Sequence, residues 1–250
     1  MSLDLQAAAN KRMRRGLITL AVIVAVLAVI GVLLLVSGGG KKDSAKRADP
    51  GASKPSPAAT EAPSNETYTK PGHWVKLPEG ADKSNGLPVK FPKTNEGAAA
   101  MTVAVVRASW SLAAADVEKS AATYVVPEEV DALKAAAGEA AAGNRKMAGI
   151  PNDGPPPQDA AFSPVPIGVQ WNRQDDTHVK VTVLVRLVTS SGNGKEPETQ
   201  LIVMSSMAVW NGDDWKMASV PPGKQPEPFD IGDEGFNREG WKAIEQGDKR

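Results

Sequence analysis

The side chains that could do acid–base chemistry in this sequence are few. Only two histidines occur in the 250 residues, His73 and His178, and they are far apart along the chain. His178 follows Asp175 and Asp176, and a histidine beside a carboxylate can act as a proton-transferring pair. A histidine at the start of a strand, on its polar face, is however more often a solvated surface residue. We therefore expect both histidines to lie at the surface without a catalytic role.

Other reaction types lack the residues they need. The sequence has no cysteine, which excludes disulfides, thiol nucleophiles and zinc–thiolate sites. A metal site needs several convergent ligands, and no cluster of His, Asp or Glu has such spacing. Residues 149–154 read GIPNDG but lack the Lys and Ser or Thr of a phosphate loop, and no Gly-x-Ser-x-Gly elbow occurs. We therefore assign no catalytic residue, no cofactor-binding residue, no cofactor and no metal ligand, and predict that the protein is not an enzyme.

An uncharged apolar segment near the N-terminus is the strongest feature of the sequence. Residues 17–36 read LITLAVIVAVLAVIGVLLLV, and about 20 apolar residues suffice to cross the hydrocarbon core of a bilayer. The basic segment 11–15, which reads KRMRR, precedes it and favours a cytoplasmic N-terminus. A cleaved signal peptide is the competing interpretation, but its apolar region would be only about 7–15 residues long. We expect an uncleaved single-pass anchor in the cell membrane, with the C-terminal domain outside the cytoplasm.

The chain divides into parts of different composition. Residues 1–16 form the predicted cytoplasmic tail, 37–69 a disordered linker rich in Gly, Pro, Ser and Lys, 70–222 an extracytoplasmic domain, and 223–250 a polar tail. The 29 basic and 29 acidic residues balance, which gives no reason to expect nucleic acid as a partner. The expected partners are the membrane, other copies of the chain and other envelope proteins. A small-molecule ligand stays unknown.

Hydrophobic periodicity predicts helices in the first half of the domain and strands in the second. Thr94 or Asn95 caps a helix that continues to about 115, a short helix follows to 124, and Pro127 begins a third that reaches about 143. Alternating residues then predict strands at 165–171, 177–188 and 200–210, and an Asn-Gly turn at 211–214 leads into a last strand. Helices followed by an antiparallel meander, without βαβ alternation, indicate the α+β class.

The order of these elements resembles a known fold. Three helices precede a curved antiparallel meander, and the last hairpin at 209–217 reads VWNGDDWKM. This arrangement resembles the cystatin-like, or nuclear-transport-factor-two-like, fold. The predicted fold class is therefore α+β, with an N-terminal transmembrane helix plus a cystatin-like domain of three helices packed on a curved antiparallel sheet. The resemblance implies a cone that can hold a small ligand, and the predicted core or pocket-lining tryptophans are Trp110, Trp171, Trp210 and Trp215.

The whole layout also resembles a group of envelope proteins. A basic tail, one membrane helix, a tether and such a domain resemble the inner-membrane scaffold subunits of type IV secretion and conjugation machines. Residues 86–98, which read GLPVKFPKTNEGA, resemble segments of uncharacterised membrane proteins of actinobacterial mobile elements, although Lys90 replaces an expected glycine. The first functional hypothesis is an envelope scaffold that acts through protein–protein contacts. The alternative is a membrane-tethered binding module for a lipid, a cell-wall fragment or a transporter partner.

Overall fold

The computed structural model describes residues 68–245 of the chain, which fold as an α+β domain. Its helices are α1 (Asn95–Ser109), α2 (Ala114–Tyr124), α3 (Pro127–Ala135), α4 (Ala137–Met147) and α5 (Glu234–Arg238). Its strands are β1 (Trp74–Val75), β2 (Asp82–Ser84), β3 (Leu87–Val89), β4 (Ala160–Arg173), β5 (His178–Ser191), β6 (Glu198–Trp210), β7 (Trp215–Ala218) and β8 (Lys242–Ile244). The predicted cytoplasmic tail, the membrane segment 17–36 and most of the predicted linker lie outside the described residues.

One mixed sheet of six strands forms the centre of the domain. Its order is β1-β8-β4-β5-β6-β7, and β2 and β3 pair as a separate hairpin. The strands from β4 to β7 are antiparallel neighbours in chain order. β8 lies between β4, to which it is antiparallel, and β1, to which it is parallel. The last strand of the domain therefore joins the first strand to the meander.

The structure corrects the fold predicted from the sequence. We expected an N-terminal transmembrane helix plus a cystatin-like domain of three helices packed on a curved antiparallel sheet. Residues 68–245 instead contain five helices and a mixed six-stranded sheet. Among these residues, no helix has both the length and the apolar composition needed to cross a membrane. The parallel pair escaped prediction because β1 and β8 are two and three residues long, too short for an alternating pattern to be recognised.

Helix α1 is the centre of the main hydrophobic core. All residues 97–106 are buried, as expected for a helix that is apolar on every side. Thr94 caps its N-terminus as predicted, because Thr94 Oγ1 accepts a hydrogen bond from Gly97 N at 3.0 Å. The alternation predicted for β5 holds for Val179, Val181, Val183 and Val185, which face this helix, but the expectation of a mostly wet opposite face is wrong, because Leu184 and Thr182 are buried there. The sheet side of the core comprises Val169, Val179, Val181, Val183, Val185 and Ala208.

The opposite face of the sheet is covered by the C-terminal segment. The buried side chains of this second core are Ile167, Leu184, Phe236, Trp241 and Ala243. An ion pair between Arg186 on β5 and Asp230 fastens the segment to the sheet. The sequence predicted a polar tail from residue 223 that is loosely held or disordered, with Trp241 and Ile244 as possible anchors of a short helix on the domain or on a partner. Residues 229–244 pack on the sheet, and Trp241 and Ile244 are buried there beside a short helix, so the anchoring alternative holds for this segment.

A buried carboxylate fixes the β6–β7 hairpin to the chain that precedes α1. Asp214 is 4 % exposed, and its Oδ1 accepts hydrogen bonds from Phe91 N at 2.9 Å and Trp215 N at 2.8 Å. Trp215 Nε1 in turn donates to Pro92 O at 2.8 Å. Hydrogen bonds to an ionised acceptor are stronger than those between neutral groups. Asp214 therefore joins segments that lie 123 positions apart in the sequence.

The role of Asp214 predicts a large loss of stability in Asp214→Ala. Two buried N–H groups lose their acceptor, so the free energy of unfolding should fall by about 2–4 kcal/mol. Asp214→Asn keeps the Oδ1 acceptor and should recover part of the loss. Asp213→Ala is the matched control, because that side chain is 74 % exposed and only contacts Lys90 at 3.5 Å. Urea unfolding of the full-length chain measures all three, and equal losses at the two positions would contradict the buried-acceptor role.

Substitution of two helix glycines by alanine should change the stability of the domain in opposite directions. A Cβ at Gly97 would lie 1.9 Å from the Pro92 carbonyl oxygen, so Gly97→Ala forces the backbone to move. The expected cost is about 1–3 kcal/mol, as for other overpacked sites. In α4, a Cβ at Gly138 would meet no atom within 4 Å. Gly138→Ala should therefore stabilise by about 0.5–1 kcal/mol through helix propensity alone, and thermal unfolding should show shifts of opposite sign.

Tyr124 predicts a dependence of stability on alkaline pH. Its ring is buried, and its hydroxyl donates a hydrogen bond to Pro88 O at 2.9 Å. Burial and, to a smaller extent, the Asp214 carboxylate raise the pKa of Tyr124 well above its ordinary value of 10.0. Because the pKa of Tyr124 is higher in the folded protein than in the unfolded chain, the protonated side chain favours the folded state. This contribution to stability is complete below about pH 10 and is lost as the pH rises further. Tyr124→Phe should lose about 1 kcal/mol at neutral pH but decline less steeply above pH 10 in chemical denaturation. Parallel pH profiles would contradict this.

Candidate ligand-binding cleft

His178 and Asp175 lie in the turn between β4 and β5. Asp175 Oδ1 accepts hydrogen bonds from Thr177 N at 2.7 Å and His178 N at 2.9 Å, and His178 Nδ1 lies 3.0 Å away. The backbone hydrogen bond from Thr177, followed by the His178 side chain, holds the pKa of Asp175 well below its ordinary value. The side chain of His178 is 42 % exposed and that of Asp175 is 56 % exposed. This carboxylate therefore organises an exposed turn, and the pair has a local structural role.

The other residues considered for chemistry are dispersed. His73 is exposed just before β1. Within residues 68–245, no group of three or more His, Asp or Glu side chains is arranged to hold a metal ion. The loop 149–154 packs around a buried arginine, because Arg145 Nε donates to Pro151 O and Arg145 Nη2 donates to Gly154 O, each at 2.6 Å. The carbonyl oxygens of this loop therefore bind a guanidinium group of the domain itself.

A cleft opens where α1 ends. The sequence predicted this helix to reach 115, but it stops at Ser109. Two residues later, Ser111 Oγ accepts a hydrogen bond from Ala113 N at 3.1 Å and donates to Asp116 Oδ2 at 2.7 Å. Local hydrogen bonds of this kind compete with helical backbone pairing. The chain therefore turns away from α1 before α2 begins and leaves an opening beside the start of β4.

This cleft has the size of a small-molecule site. Its volume is about 530 Å³, and ligand pockets commonly measure about 300–1,000 Å³. Its polar and charged lining comes from Arg107, Ser111, Asp116, Lys119 and Ser163. The apolar lining consists of Leu87, Ala108, Trp110, Leu112, Phe162 and Pro164. The wall of the cleft therefore combines polar and apolar groups in similar amounts.

The four tryptophans singled out in the sequence occupy different places. Trp110 lines the cleft, so the pocket-lining alternative holds for this residue. Trp215 is fully buried, and Trp210 packs edge-on against it with ring centroids 5.3 Å apart. Trp171 packs at the margin of the main core, and Lys242 Nζ lies 4.5 Å from the centroid of its ring.

Sequence reasoning missed the two cations of the cleft. Arg107 and Lys119 lie on exposed parts of α1 and α2, where charged residues are normally solvated. Nothing in the residue pattern distinguishes these two cations from ordinary charged residues on a solvent-exposed helix face. The one available signal was Ser111, because a serine that can form local hydrogen bonds favours a helix end over a helix interior.

The outer edge of β1 is a second candidate contact site. β1 is the terminal strand of the sheet and pairs with β8 on one side. The large hydrophobic side chains that residues 68–245 expose are Tyr68, at 63 %, and Trp74, at 45 %. The opposite edge strand, β7, is partly covered, since Val126 N donates to Met217 O at 2.9 Å. Trp74 therefore lies on an edge strand of the sheet, whereas Tyr68 lies beside Gly232, which pairs with Thr69.

No protein-family model, curated protein or solved structure matches the chain. The resemblance to cystatin-like domains and to conjugation scaffolds stays a hypothesis drawn from the sequence. The functional interpretation therefore depends on the cleft and on the β1 edge themselves.

Proposed function

We propose that the protein is an envelope scaffold that works by association of its folded domain, with the outer edge of β1 as the contact surface. The exposure of Trp74 on an edge strand carries this proposal. Aromatic side chains are enriched in protein interfaces and often dominate binding affinity. An open strand edge also offers backbone N–H and C=O groups to a second strand. Both features favour a protein partner at this edge.

The partner proposed for this edge is a second copy of the chain. The edge lies at the beginning of the domain, directly after the linker that connects it to the apolar segment 17–36. The membrane location belongs to the proposal and rests on that segment of the sequence. Copies held on one membrane have a high effective concentration, so even a short strand edge can support association. Two identical edges pair about a twofold axis, which makes the contact self-complementary.

A second candidate function is a membrane-tethered binding module. The cleft at the end of α1 favours it, because an opening of about 530 Å³ lined by both polar and apolar groups has the volume of a small-molecule site. The cleft residues lie on α1, α2, β3, β4 and the connection between α1 and α2, whereas the contact edge is β1. The two functions therefore use different residues and can be tested separately.

Crosslinking through an introduced cysteine tests the scaffold function. The chain has no native cysteine, so Lys76→Cys introduces a single thiol two positions after Trp74. Treatment of cells that produce the full-length chain with a short bis-maleimide should trap a covalent dimer. Adding Trp74→Glu should reduce the dimer yield about tenfold or more, because a charge replaces an aromatic anchor of the contact.

Asp213→Cys is the matched control for this experiment. Asp213 is 74 % exposed and lies in the turn before β7, at the other edge of the sheet, so it should give no dimer. Equal dimer yields from the two positions, or no effect of Trp74→Glu, would rule out association through β1. A crosslink to a different envelope protein would support the scaffold function and replace the second copy as the partner.

A further inference from the structure

The charged groups of the cleft are unevenly paired. The carboxylate of Asp116 accepts a hydrogen bond from Ser111 Oγ at 2.7 Å. Arg107 and Lys119 line the same cleft, and across residues 68–245 neither side chain has a hydrogen-bond or ion-pair partner. Two cations therefore accompany one carboxylate that already has a partner. The cleft has an excess of positive charge and two sets of free N–H donors.

Two further features strengthen the positive potential of the cleft. Helix α2 begins at Ala114, between the cleft residues Leu112 and Asp116, and its N-cap makes no side-chain hydrogen bond. The N-terminal end of a helix carries a partial positive charge that attracts anions. The Lys119 ammonium group lies over the β2–β3 turn, where a Cβ added to Gly86 would be 3.8 Å from Nζ. The ammonium group therefore lies close to this turn, beside the opening.

The uncharged part of the cleft suits a flat or short apolar group. Trp110 and Phe162 contribute aromatic surface, and both are only partly buried by the domain. Leu112 and Pro164 extend this apolar surface. Contact with aromatic and aliphatic side chains removes the apolar part of a ligand from water, which stabilises the complex. The cleft therefore combines cationic donors with apolar walls.

We propose that this cleft binds a small organic anion, a carboxylate attached to an aromatic ring or a short acyl chain. The planar guanidinium of Arg107 matches the geometry of a carboxylate, and Lys119 adds a second positive charge. Trp110 and Phe162 contact the apolar part of the ligand. This site goes beyond association at β1, and it gives the binding-module candidate a ligand class.

The binding of 2-naphthylacetate to the full-length chain in nonionic detergent tests this site. Saturation-transfer NMR, with the signal from detergent alone subtracted, should show contact between the naphthyl ring and the protein. The neutral analogue 2-naphthylacetamide should bind about tenfold more weakly, because it lacks the charge that strengthens hydrogen bonds to Arg107 and Lys119. Equal binding of the two compounds, or no binding of 2-naphthylacetate at millimolar concentration, would overturn the proposal.

Substitutions locate the bound anion. Arg107→Gln and Lys119→Gln should each weaken the binding of 2-naphthylacetate by about tenfold, the effect of one lost charge-assisted hydrogen bond. Lys134→Gln is the matched control, because Lys134 is exposed in the last turn of α3 and does not line the cleft. An equal loss in Lys134→Gln would show general charge attraction and overturn the site. The Trp74→Glu variant should bind normally, so failure of association at β1 and failure of this site are distinguishable.

Discussion

Helix α1 must be covered on every side, and most of the domain follows from this requirement. Residues 97–106 are all buried, so one sheet face cannot suffice. The sheet covers one side, while Phe91 and Tyr124 belong to the segments that cover the others. The buried bonds of Asp214 hold one of these covering segments in place. The buried part of α1 ends before Arg107, which is the first exposed residue after 97–106, and the cleft opens there.

The sheet has a similar requirement on its other face. Ile167 and Leu184 face away from α1, and burying such side chains contributes about 1.5–3 kcal/mol each. Phe236 and Trp241 cover them, so the C-terminal segment is part of the fold. Its last residues form β8, which positions β1 at the rim of the sheet. The proposed contact edge therefore depends on the packing of a segment far away in sequence.

Local signals in the sequence were sufficient for some elements. Thr94 forms the predicted helix cap, and the alternation along β5 correctly grouped the valines that face α1, because each depends on neighbouring residues. The burial of Leu184 on the other face of β5 was not predicted. Contacts between distant segments left no such signal. Asp214 was interpreted as a turn residue, although its carboxylate pairs with a backbone group 123 positions away. The candidate site was equally hidden, because Arg107 and Lys119 are brought together by a helix break that periodicity does not record.

The position of β8 sets the order in which the domain can be completed. Gly72 N and Asn237 Oδ1, which join the two ends of the domain, are 165 positions apart in the sequence. Contacts of such long range form late, because a long loop must close before they are made. During synthesis, the edge of β4 and the apolar side chains of Ile167 and Leu184 stay uncovered until the last strand emerges from the ribosome. A nascent chain therefore exposes this strand edge and these apolar side chains from the synthesis of β4 and β5 until β8 follows, and translation stopped before residue 242 leaves the edge of β4 open to aggregation.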